Sequence, residues 1–121
     1  MTLQEFYTAI GGDYEGVLGR LMRNEKMVQK FVLKFLNDQS YETLIRAMEE
    51  KNYEEAFRAA HTIKGVGQNL GFTKLFSSAG QLSEALRNGF TPEAPALAEE
   101  MKADYQQTVE AIRALQETLN A

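Results

Sequence analysis

The chain has 121 residues, with 13 Lys and Arg against 17 Asp and Glu for a net charge of −4, one His and no Cys. This length suits one domain spanning residues 1–121, and the counts exclude disulfides, iron–sulfur clusters, His/Cys zinc and thiol catalysis. The acidic balance argues against nucleic acid as a partner. With no basic, apolar leader in MTLQEFYTAIGGDYEG and no apolar run near the roughly 18 residues of a membrane span, a cytoplasmic protein without a membrane partner is expected.

Apolar residues recur at three- and four-residue intervals, the helical period, and Gly and Pro fall between the periodic segments. Leu3, Phe6, Tyr7 and Ile10 predict a first helix that Gly11-Gly12 ends. Asp13 caps a short second helix with Val17, Leu18, Leu21 and Met22 on its apolar side. Asn24 caps a third with Val28, Phe31, Val32, Phe35 and Leu36. After a turn at Asn37-Asp38-Gln39, Ser40 is placed to cap a fourth, through Leu44, Ile45 and Met48 to Glu50. From Asn52 a helix runs with Ala56, Ala60, Ile63, Gly67 and Leu70 as its core stripe and stops at Gly71. Thr73 starts its hairpin partner, with Leu75, Ala79, Leu82 and Leu86 inward as far as Asn88-Gly89. A last helix begins near Thr91-Pro92-Glu93, a cap followed by Pro in the first turn, with Pro95 leaving its exact start open, and carries Leu97, Met101, Tyr105, Ile112, Leu115 and Leu119. Met22, Met27, Met48 and Met101 are assigned to the core. The fold class is all-α: a four-helix bundle with short additional N-terminal helices.

At about 100° per residue, the core stripe of the Asn52 helix lies roughly 100–180° from His61, while Arg58, Lys64, Gly65 and Gln68 lie within roughly 60° of it. The only His therefore points to solvent in mid-helix. Position alone would leave it an ordinary surface residue, but three features single it out. Gly65 sits one turn on, on the wet face, where Gly costs a helix roughly 0.5–1 kcal/mol and packing explains little; it leaves room for another molecule beside the imidazole. Gly67, on the core side, reads as close helix packing. Lys64, three residues from His61, disfavours imidazolium and attracts an anion placed on the ring. Finally, no Asp or Glu occurs from Ala56 to Ser83, while Arg58, Lys64 and Lys74 do, which predicts a basic face suited to phosphate or an acidic partner.

Other chemistries lack their residues. Gly65-Val66-Gly67 lies inside a helix with no preceding strand, so it is not a nucleotide loop, and Ser77 and Ser78 have no His or acid at hydrolase spacing. The pairs Glu49-Glu50, Glu54-Glu55 and Glu99-Glu100 read as solvated helix faces, and no metal site is expected.

The segment AHTIKGVGQNLGFTKL resembles the signature of histidine-containing phosphotransfer (HPt) domains: a phosphorylatable His, then Lys, Gly, a second Gly and Leu, here His61, Lys64, Gly65, Gly71 and Leu75. The resemblance implies a phosphocarrier without kinase activity. In that family the His Nε2 attacks the aspartyl phosphate of a response-regulator receiver domain and passes the group to another receiver, with a histidine kinase as an indirect partner. It makes His61 the acceptor and modified residue, Lys64 the phosphate stabiliser and Gly65 the gap for the receiver. Gln68 follows from geometry as a hydrogen-bonding contact, Arg58 belongs to the basic docking face, and Phe57 packs partly on a neighbouring helix or meets the receiver. No cofactor is expected; Mg2+ would come from the receiver. RAAHTIKGVGQNLGF is also similar to the phosphotransfer domain of chemotaxis kinases, which commonly carry a second His and a Glu where Gly80 and Ser83 stand. A free-standing monomeric carrier is therefore favoured over such a kinase domain or a module that binds receivers without phosphorylation.

Overall fold

In the computed structural model, which describes residues 1–120, the periodic segments form seven α-helices. These are α1 (Leu3–Ile10), α2 (Tyr14–Arg20), α3 (Glu25–Lys34), α4 (Ser40–Glu49), α5 (Tyr53–Leu70), α6 (Thr73–Leu86) and α7 (Ala94–Leu119), with one 3-10 turn at Phe35–Asn37. Helices α4 to α7 make the bundle: α5 packs between α4 and α6, and α6 between α5 and α7. Tyr41 of α4 stacks flat on Tyr105 of α7, ring centroids 3.8 Å apart, and α1 also packs along α7. One contiguous apolar core draws on every helix, including the short N-terminal ones, whose Phe6 and Tyr7 meet Phe72 edge-on or tilted.

Local chemistry explains the helix starts. The Gly16, Met27 and Glu55 backbone N–H groups donate to the side-chain oxygens of Asp13, Asn24 and Asn52, so each of these residues satisfies one of the orphan donors of a first turn. Thr2 and Glu5 cap α1 reciprocally, a signal that the T-x-x-E spacing carries.

The C-terminal end of α5 is held more completely. Gly71 takes a left-handed φ of +72°, which only glycine adopts cheaply, and a β-carbon there would come within 2.7 Å of the Asp13 carbonyl oxygen. The turn lets Phe72 N–H donate to Gly67 O and Gly71 N–H to Gln68 O. Arg20 of α2 donates to Gln68 O and Asn69 O at 3.0 and 3.2 Å, and the Tyr7 hydroxyl of α1 donates to Leu70 O at 2.6 Å. Burial pushes the Tyr7 phenol well above its usual range, so it stays a donor at any ordinary pH. Tyr7→Phe is expected to lower the unfolding free energy by about 1–2 kcal/mol, by stranding a buried carbonyl. A chemical-denaturation midpoint measures this; an unchanged midpoint would remove α1 from the support of α5.

Several sequence expectations need correcting. Met22 is not core: α2 ends at Arg20, and Met22 and Arg23 both take positive φ in the turn to α3, leaving Met22 90% exposed. Met27 and Phe31 are also exposed, as is Leu119 at the end of α7. α3 stops at Lys34, with Leu36 in the 3-10 turn. Ser40 does not cap α4; its own N–H donates to the Asp38 carboxylate, so the acid two residues earlier performs that role. α7 starts at Ala94, not at Thr91. A helix capped by Thr91 would need an N–H at residue 95, and Pro95 has none; starting at Ala94 puts Pro95 in the first turn, and Leu97 N–H makes the first full helical bond, to Glu93 O.

Candidate functional site

His61 lies in the middle of the 18-residue α5 and is exposed, while Ala59, Ala60, Ile63, Gly67 and Leu70 are buried on the helix's other side. The hydrogen bonds of its neighbours bypass the imidazole: Arg58 Nη1 donates to Glu54 Oε1 at 3.0 Å and Thr62 Oγ1 to Arg58 O at 3.0 Å. Among the described residues no group hydrogen-bonds to the ring nitrogens.

The two mid-helix glycines do different jobs. A β-carbon on Gly67 would sit 3.1 Å from the Phe76 backbone nitrogen and 3.3 Å from its Cα, so Gly67 is what lets α5 and α6 approach. A β-carbon on Gly65 would meet nothing within 4 Å. No internal contact asks for glycine at Gly65, and the space it leaves opens outward beside His61.

Lys64 is half-buried, and its stem crosses onto α6: a β-carbon built on Gly80 would lie 3.5 to 3.7 Å from Lys64 Cδ, Cε and Cγ. Gly80 therefore serves as a bed for the methylenes of the lysine. At the positions where the similarity to chemotaxis kinases would put a second His and a Glu, Gly80 has no side chain and Ser83 is buried.

The basic face is weaker than the acid-free stretch suggests. Glu54, two turns before His61 on the same side of α5, pairs with Arg58; both side chains are well exposed, so the pair contributes about 0.3–0.5 kcal/mol and mainly trims the local positive charge. Lys74 lies against Gly11 at the far end of the hairpin. The tertiary structure supplies a different cation, Arg87 from the end of α6, whose guanidinium sits 5.3 Å from the Phe57 ring centroid and pairs with Glu84 at 3.1 Å. Gln68 is exposed one further turn along the His61 face, and Phe57 is half-buried with its ring 5.9 Å from that of His61.

A groove of about 710 Å3 lies further round α5, between it, α2 and α3, with Leu21, Phe31, Phe35, Val66 and Leu70 as its apolar lining and Arg20 and Lys34 among its cations. Its α5 residues lie five to nine positions beyond His61, about 7–14 Å along the axis, so it flanks the histidine without containing it. The sequence does not disclose it, because Phe31 falls on the apolar stripe of α3 and its exposure depends on packing. Among the described residues no group of three or more His, Asp or Glu side chains could hold a metal ion.

Against models of known families, residues 32–117, more than two thirds of the chain, match the Hpt domain. The chain belongs to the Hpt domain family. Neither the curated proteins nor the solved structures give a significant match. Hpt domains act in histidine phosphotransfer within two-component phosphorelays, where they interact with receiver domains as phosphocarriers. The all-helical bundle accords with the family's fold, and no helix of this Hpt domain, among its described residues, is long and apolar enough to cross a membrane. The family match starts within α3, so Tyr7 and Arg20, which hold the C-terminal end of α5, stand outside it.

Proposed function

We propose that His61 is the phosphoryl acceptor of a relay: it takes the group from the aspartyl phosphate of one receiver domain and gives it to the aspartate of another. One observation carries this: the only histidine of an Hpt domain stands exposed in mid-helix, with no hydrogen-bond partner for its ring nitrogens among the described residues. With the ring protonated at Nδ1, the Nε2 lone pair attacks phosphorus, an N–P bond forms, and the acyl P–O bond breaks with its electrons going to the departing Asp carboxylate. The next receiver reverses the step with its own carboxylate. No ATP and no water enter.

In this scheme Lys64, held over Gly80, neutralises charge on the phosphoryl oxygens, and its attraction strengthens once the receiver excludes water. Gly65 leaves room for the receiver's active-site loops. Arg58 and Gln68, exposed on either side of His61, contact the receiver. The chain needs no cofactor of its own; the magnesium ion belongs to the receiver. Residues 1–121 act as one domain, monomeric and cytoplasmic.

The test is a pulse and chase. A receiver carrying labelled phosphate should transfer label to this protein as an acid-labile, base-stable phosphate, and an unlabelled receiver should then remove it. Receiver binding without any labelling would favour sequestration instead, and labelling by ATP alone would overturn the carrier assignment.

A further inference from the structure

We infer that Phe57 is a positioning residue for His61, tied in place from the neighbouring helix by Arg87; this rests on phosphotransfer at His61. Phe57 lies one turn before His61 on α5, and the two rings are offset-stacked, with centroids 5.9 Å apart and planes inclined by 26°. Phe57 is itself anchored. Its ring is half-buried against the core, and the Arg87 guanidinium of α6 lies 5.3 Å from its centroid while Glu84 holds Arg87 at 3.1 Å. Glu84, Arg87, Phe57 and His61 thus form a chain of contacts across the α5–α6 hairpin, ending on the imidazole.

Other orienting groups are missing where they might be sought. Arg58 and Thr62 bond elsewhere, Gly80 has no side chain, and Ser83 is buried. An exposed side chain changes rotamer in picoseconds to nanoseconds, so an unsupported imidazole would have to be frozen at each encounter with a receiver. A stacked neighbour limits that freedom in advance. It also uses the face of the ring and leaves both edge nitrogens available, whereas an orienting hydrogen bond would occupy one of them. Phe57 therefore acts on the rate at which bound receiver is attacked rather than on how tightly receiver binds.

The experiment compares single-turnover transfer from a phosphorylated receiver over a range of receiver concentrations for the wild type, Phe57→Leu, Phe57→Tyr and Arg87→Gln. Phe57→Leu should slow the saturating rate about three- to tenfold with the half-saturating concentration within about twofold, Phe57→Tyr should restore the rate, and Arg87→Gln, at an exposed position that leaves folding intact, should slow it about twofold. By NMR, the wild type should show cross-peaks between the Phe57 and His61 ring protons, and His61 side-chain couplings should become rotamer-averaged in Phe57→Leu. Wild-type transfer with an unchanged saturating rate in both Phe57→Leu and Arg87→Gln, or without the ring cross-peaks, overturns the inference. A change confined to the half-saturating concentration also overturns it and makes Phe57 a receiver contact. A wild type that takes no label at His61 at all brings down the phosphotransfer proposal itself, a separate result from any of these.

Discussion

His61→Gln stays unlabelled when mixed with a phosphorylated receiver that labels the wild type, a loss of at least about a thousandfold, or about 4 kcal/mol of transition-state stabilisation. Glutamine retains a polar side chain of similar reach but has no basic nitrogen to attack phosphorus. The substitution should leave the fold alone, because the position is exposed, bonds to no neighbour, and glutamine is at least as good a helix former as histidine. Circular dichroism and the denaturation midpoint should therefore match the wild type within about 0.5 kcal/mol. Receiver binding, measured by titration without phosphate, should also persist, since Arg58 and Gln68 are untouched. Residual acid-labile label on the variant would place the acceptor elsewhere, and the chain has no second histidine to receive it.

Gly65→Lys separates stability from function in opposite directions. The site is helical and open, with nothing within 4 Å of a β-carbon, so replacing glycine there should raise stability by roughly 0.5–1 kcal/mol. The same side chain would occupy the space one turn from His61 into which a receiver must bring its aspartyl phosphate. Misplacing reacting groups by about 1 Å costs up to a hundredfold, so transfer should slow by about ten- to a hundredfold. Gly65→Ala should fall between, because a methyl group intrudes less. A variant that is more stable yet transfers poorly cannot be explained by misfolding. Unchanged transfer in Gly65→Lys would remove the steric role of Gly65 and leave its presence on a wet helix face without an explanation.

Much of this was open to inspection in the sequence. The stripe Ala56, Ala60, Ile63, Gly67 and Leu70 identified the buried side of α5, and with it the exposed side that holds His61, because helical periodicity converts spacing directly into direction. The caps at Asp13 and Asn24 were readable for a similar reason: each bond spans three residues of one segment. The separation of Gly65 from Gly67 also came from phase alone, and the Phe76 backbone close to Gly67 agrees with it.

What failed or stayed hidden depends on residues far apart in the chain. The acid-free stretch from Ala56 to Ser83 suggested a basic face, yet Glu54 reaches Arg58 from outside it, Lys74 lies at the other end of the hairpin, and Arg87, beyond the stretch, is brought beside Phe57. Charge counted along a chain is not charge distributed in space. Met22 shows the same limit for apolar residues: its spacing fits a stripe, but the chain reverses before the helix reaches it. The sequence by itself determined the helices, the side of α5 that faces water and the residue that stands there, since these follow from local bonds and a fixed helical period. The tertiary structure alone decided that α1 and α2 close the end of α5 through Tyr7 and Arg20, that Lys64 lies across Gly80, and that Arg87 of α6 reaches the Phe57 ring. Each of these contacts joins segments whose separation in sequence carries no information about direction, and only the packing of one helix against another supplies it.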